Sequence, residues 1–133
     1  RLSVLANRVS RAIAAHYAAQ FDLTIPEWRV IALLGRLDGL SAREIADAAE
    51  MDKVMISRAV ARLMRAGRVS ARSDAADARR QKLSLTRRGR SVYDQVAPYA
   101  LACEARLLEP LSEAERAGLD ALLTRLSEAA RDL

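Results

Sequence analysis

Residues 41–67 read SAREIADAAEMDKVMISRAVARLMRAG, and the order of caps and charges in this stretch decides what the rest of the chain must be. Ser41 and Glu44 have the Ser-x-x-Glu spacing in which the hydroxyl accepts from the third helical amide while the carboxylate reaches back to the cap. A short helix is expected from there, with Ile45, Ala48 and Ala49 inward. Asp52 is placed to cap a second helix from Lys53 to about Ala66, and Gly67 sits where a left-handed C-terminal residue is favoured. Two short helices joined by about three residues form a helix-turn-helix.

The second helix divides cleanly by face. Ile56, Ala59, Val60 and Leu63 recur at intervals of three and four, which puts them on one side. Val54, Arg58, Ala61, Arg62 and Arg65 fall opposite, with Lys53 and Ser57 on the flank near the N-terminus. No acidic residue occurs between Asp52 and Asp74. Helix surfaces ordinarily mix signs, because Glu and Lys three or four apart support each other. A face of one sign points instead to a polyanion.

Working outward, RVSARS (68–73) and QKLSL (81–85) alternate as strands around the polar tip DAADARR (74–80), which reads as a β-hairpin. Thr86 is a cap for a long helix to roughly Leu108, with Val92, Val96 and Leu101 inward and a kink expected before Pro98. Ser112 and Glu115 repeat the Ser-x-x-Glu start for a last helix, with Leu119, Leu122, Leu123, Leu126 and Ala130 inward. Upstream, residues 2–19 space Leu2, Leu5, Val9, Ala12, Ile13 and His16 as a helix. Thr24, Pro26 and Glu27 then start another, whose apolar stripe is Ile31, Leu34 and Leu37. The expected class is mainly α with a small β-hairpin, in one domain over residues 1–133.

The totals agree. The chain has 133 residues, 51% hydrophobic and 29% charged, with aromatics at 4%, which suits a helical globular domain that needs no metal or disulfide. Net charge is +5, but from Lys53 to Arg90 there are 12 basic residues against two acidic ones, Asp74 and Asp77. The remainder holds 10 basic and 15 acidic residues, so a cationic block lies between mildly acidic arms. No stretch reads as a secretory signal, and none approaches the ~18 apolar residues of a membrane span. The single cysteine, Cys103, cannot form an internal disulfide, and a reducing cytoplasm is the expected location. There is no Gly-rich phosphate loop, no Cys/His metal spacing and no Ser/His/Asp set. Neither an enzyme nor a metal or cofactor site is expected.

A helix-turn-helix followed at once by a basic hairpin is the winged-helix arrangement. Its second helix enters the major groove, where arginine donates to guanine O6 and N7, and its wing reaches the minor groove. Double-stranded DNA is therefore the expected partner, with a winged helix that binds only protein as the alternative. The chain resembles the MarR family of transcriptional regulators in LTIPEWRVIALL (23–34), in residues 40–67 and in DAADARRQKLSLTRRG (74–89). The family's Leu-Thr-x-x-Gly is matched by Leu85, Thr86 and Gly89, and its Asp-x-Arg by Asp77 and Arg79. Ala75 stands where a proline is frequent, and Ala78 where a second arginine is frequent.

The resemblance implies a homodimer, with residues 1–21 and 90–133 as the dimerisation region and 22–89 as the DNA-binding lobe. Two such lobes would meet successive major grooves about 34 Å apart on a near-palindromic site, and repression is the family's usual mode. It places Ser57, Arg58 and Arg62 in the major groove with Lys53 and Met55 beside them, and Arg79 in the minor groove. Arg72, Arg80, Lys82 and Arg87 are assigned to phosphate. Ser41 has two compatible roles, capping its helix and offering its hydroxyl and amide to a phosphate. Asp77 is expected to orient Arg79. Many relatives bind small aromatic or phenolic anions between dimer helices and lobe, which makes His16, Trp28, Arg29 and Tyr93 first guesses for an effector site. The family's peroxide sensors use a cysteine near the N-terminus, and the first helix here has none, so Cys103 is expected to be buried and inert.

Overall fold

The chain begins with α1 (Leu2–Phe21), which ends where Asp22 turns into left-handed backbone at φ 54. The side chains read as caps then start the remaining helices. In the computed structural model, which describes every residue except Ala78, Thr24 accepts the Glu27 amide at 3.3 Å and opens α2 (Ile25–Arg36). The expectation attached to Ala78 lies outside the described residues. Ser41 and Glu44 complete both halves of their box at 3.1 Å and open α3 (Ala42–Ala49). Asp52 accepts the Met55 amide at 3.0 Å and opens α4 (Lys53–Arg65). Gly67 follows in the left-handed region at φ 72, as a helix C-terminus favours.

Strands β1 (Val69–Ser73) and β2 (Gln81–Leu85) pair antiparallel, Val69 opposite Leu85 and Ala71 opposite Leu83. Leu83 also exchanges hydrogen bonds with the segment before α3: the Gly39 amide donates to its carbonyl at 3.0 Å, and its own amide donates to Leu40 at 2.9 Å. The hairpin is thereby stitched to the helix-turn-helix. Thr86 accepts the Gly89 amide at 3.1 Å and starts α5 (Arg87–Leu108), which continues through Pro98. A second complete capping box, Ser112 with Glu115, opens α6 (Glu113–Ala130). The fold is mainly helical with a hairpin wing, in the expected order.

Two compact units divide the chain, Arg1–Tyr99 and Ala100–Leu133. The core of the first joins Val30, Ile31 and Leu34 of α2 to Ile45 of α3 and to Ile56, Ala59, Val60 and Leu63 of α4; Leu83, Val92 and Val96 belong to it as well, as do Tyr17 and Trp28. Each fully buried Ile or Leu there contributes about 1.5–3 kcal/mol, so the inner face of α4 holds the helix whatever its outer face carries. In the second unit Arg116 Nε donates to the carbonyls of Leu108 and Leu111, both at 3.2 Å, which ties the turn between α5 and α6.

Several core expectations need correction. Leu37 is 58% exposed, because the backbone leaves the helix at that residue with φ −133 and ψ 95. On α3 the core side is Ile45 with Ala46, and Ala48 is exposed. On α1 the buried residue is Tyr17, whereas Leu2, Leu5 and Ala12 face solvent. Leu101, Leu122, Leu123 and Leu126 are exposed at 66%, 52%, 47% and 49%, and Ala130 is exposed too. Their helical spacing is real, but nothing among the described residues covers them. Cys103 is half-buried. No helix among the described residues is long and apolar enough to cross a membrane.

Candidate nucleic-acid interface

The outer face of α4 is built by the burial of its inner one. With Ile56, Ala59, Val60 and Leu63 in the core, Lys53, Val54, Met55, Ser57, Arg58, Ala61, Arg62 and Arg65 are all exposed. Arg62 and Arg65 lie in the last turn, where the helix dipole favours cations. Among the described residues Arg58 has no acidic partner.

Arg62 does have one. Its Nε donates to Glu27 Oε1 at 2.7 Å, with the arginine side chain 44% exposed and the glutamate 8%. A charge-assisted bond of this length with one end buried is among the stronger polar contacts. Arg80 is also paired: its NH2 nitrogen donates to Glu44 Oε1 at 2.8 Å and to the Ser41 hydroxyl at 3.3 Å. Both ends of that pair are about half exposed, and such pairs contribute at most ~1 kcal/mol. Phosphate can therefore compete for Arg80 far more easily than for Arg62. The Glu44 carboxyl is held below its ordinary range, first by the Ser41 backbone amide, with the Ser41 hydroxyl and Arg80 adding to the effect. Ser41 itself is 6% exposed, and its amide already donates to Glu44.

The hairpin sets Arg72 directly opposite Lys82, so two cations share one face. Like charges across a ladder are destabilising. Both side chains pass over Gly39, whose backbone is left-handed at φ 80. The tip is organised by two aspartates: Asp74 accepts the Ala76 amide at 2.9 Å, and Asp77 accepts the Arg79 amide at 3.0 Å. These are Asx turns, which need no glycine or proline. The bond from Asp77 holds the Arg79 backbone rather than its guanidinium. Arg79 and Arg87 are exposed. A surface groove of about 690 Å³ between α3 and the tip brings Ser41, Glu44, Asp47, Arg79 and Arg80 together.

The sequence model of the MarR family matches residues 21–80, which contain this helix-turn-helix and most of the wing. A MarR/EmrR family transcriptional regulator from Acinetobacter sp. ADP1 superposes with a TM-score of 0.90 at 28% identity, covering 99% of this chain and 93% of that one. Over these residues the chain is similar to the MarR family. The S. aureus MepR–DNA complex is similar at a TM-score of 0.85 and 25% identity, covering 96% of this chain and 94% of MepR. A Listeria monocytogenes family protein solved with a 26mer DNA gives 0.92 at 18% identity over 98% of this chain and 87% of that one, and shares the fold. No curated protein sequence matches the chain.

The four residues expected at an effector site do not line one cleft. Trp28 and Arg29 line a cleft of about 240 Å³ between α1 and α2, together with Ser10, Ile13 and Tyr17. His16 and Tyr93 are outside its lining. His16 stacks on Tyr99 at 3.7 Å between ring centroids. Tyr93 packs against Gly35 and beneath the Arg90 guanidinium, 5.2 Å from its centroid, and lies 6.3 Å from Trp28. Arg90 also donates to the Gly35 carbonyl at 3.2 Å, so one cation of the basic block secures α5 to α2. Burial raises the Tyr17 phenol above its usual pKa, with Arg29 partly opposing. The acids that hold Arg62 and Arg80 escaped sequence reasoning. They lie 35 and 36 residues away in the chain, and no local pattern links residues that far apart.

Proposed function

We propose that this chain is a MarR-family regulator that binds a near-palindromic site in double-stranded DNA as a homodimer, acts in the cytoplasm as a repressor, and is released by a small aromatic or phenolic ligand. The observation that carries the reading is an exposed α4 surface with Lys53, Arg58, Arg62 and Arg65 and no acid after Asp52, beside a hairpin that opposes Arg72 to Lys82. Cations crowded in this way are tolerated when a polyanion neutralises them. The DNA complex of the similar MepR favours the same use of this surface. Ser57, Arg58 and Arg62, flanked by Lys53 and Met55, read the major groove, and Arg79 enters the minor groove. Arg72, Arg80, Lys82 and Arg87 position the backbone, with Ser41 at the α3 start beside them.

The leucines exposed on α6 support dimerisation, because apolar side chains at helical spacing are costly to leave in water. The cleft at Trp28 and Arg29 supports an aromatic anion, which an indole and a guanidinium suit. Selection of bound sequences from a random duplex pool tests the whole reading. Recovery of an inverted repeat, with binding that falls steeply as salt rises, is the expected result. Failure to enrich any sequence, or binding indifferent to salt, refutes it. Repeating the selection with aromatic acids tests release.

A further inference from the structure

Three helices begin with a Ser or Thr followed three residues later by Glu, yet only two complete the reciprocal box. Glu44 and Glu115 each reach back to the amide of their cap, at 3.1 Å and 3.0 Å. At the start of α2 the Glu27 amide donates to Thr24, but its carboxylate turns instead toward α4 and accepts Arg62 Nε at 2.7 Å. Glu27 is thus a buried acid directly beneath a surface that otherwise gathers cations. An acid there weakens the attraction of a polyanion, and a buried ion pair is no reliable source of stability. Its placement calls for another use.

A guanidinium held through Nε loses its freedom to rotate about the side chain, while its two terminal nitrogens keep their planar fork. We infer that Glu27 is a positioning residue for base recognition: it presets the Arg62 guanidinium on α4 so that the outer edge is presented as a two-donor fork to a guanine. Restraining that side chain beforehand lowers the ordering cost of binding. Two donors in fixed geometry suit the paired O6 and N7 acceptors of guanine. This inference rests on the DNA-binding reading above and assigns a role within it.

The test compares the wild-type chain with Glu27→Leu, Glu27→Gln and Arg62→Ala, using the duplex recovered by selection and a random duplex. Glu27→Leu is expected to lose roughly tenfold in affinity for the selected duplex, with affinity for random duplex unchanged or slightly raised. Glu27→Gln, which still offers an acceptor, is expected to fall between it and wild type. Adding Glu27→Leu to Arg62→Ala should cost nothing further. In the free protein, an NMR signal from Arg62 Nε–H that exchanges slowly with water should be present in wild type and absent in Glu27→Leu. Thermal stability of Glu27→Leu should equal or exceed that of wild type, which separates positioning from support of the fold. A Glu27→Leu chain that keeps its preference for the selected duplex, loses equally on every duplex, or adds its loss to that of Arg62→Ala overturns the inference. If wild type itself selects no sequence, the functional reading fails as well, and the Arg62 signal then reports only the pair.

Discussion

The hydroxyl of Thr86 donates to the carbonyl of Gly67 at 2.6 Å and accepts the amide of Gly89 at 3.1 Å. One short side chain thereby joins the turn after α4 to the first turn of α5. The Thr86 amide adds a bond to the Arg68 carbonyl at 3.1 Å. Gly89 packs so closely on that same carbonyl that an added Cβ would overlap it, and the obstacle is backbone, which cannot swing aside. Gly89→Ala should therefore destabilise the chain by about 1–3 kcal/mol, as overpacking does. Denaturant unfolding measures this; an unchanged midpoint would show that the joint has slack.

Arg58 and Arg80 should behave differently as alanine variants. Arg58 is exposed with no acidic partner among the described residues, and its loss should weaken binding to the selected sequence by about 1–3 kcal/mol while sparing random duplex. Arg80 is half-exposed and paired with Glu44, so its loss should weaken all sequences alike and lower the salt slope by about one. Fluorescence titrations of both variants over a salt series decide the matter. Equal specificity ratios for the two would refute the assignment.

Leu122 and Leu126 stand on one side of α6, four residues apart and about half exposed. Replacing both by Asp should leave the helical content of the chain intact, because neither is in its core. It should convert a dimer into monomers in sedimentation experiments and abolish tight binding to an inverted repeat. A double variant that sediments as wild type would place the dimer surface elsewhere.

Acid should loosen the helix starts before the core. Glu44 and Glu115 are both held below the ordinary 4.5, each first by the amide of its capping serine. A carboxyl depressed in the folded chain contributes stability that is full above its unfolded pKa and disappears as pH falls through its folded value. The loss should thus set in below about pH 4.5. Glu44→Gln and Glu115→Gln keep an acceptor for the cap but cannot titrate, so both should flatten thermal stability against pH in the acid range. Curves that stay parallel to wild type would show that other carboxyls dominate.

What could be read without coordinates was whatever neighbours in the chain decide. Thr24, Ser41, Asp52 and Ser112 each bond an amide three residues ahead, and Gly67 takes its positive φ from the turn in which it sits. The alternation of β1 and β2 and the single sign on α4 are likewise local patterns of period two and of three to four. Packing decided the remainder. Nothing local showed that α2 would bring Glu27 against Arg62, or that the hairpin would fold onto α3 and bring Arg80 to Glu44. The leucines of α6 carried the signature of a core helix, yet hydrophobic spacing specifies only that a face wants cover and not which surface supplies it. Caps and periodicity depend on a few adjacent dihedral angles, whereas ion pairs and interfaces depend on how whole elements meet. Only the fold can choose among those partners.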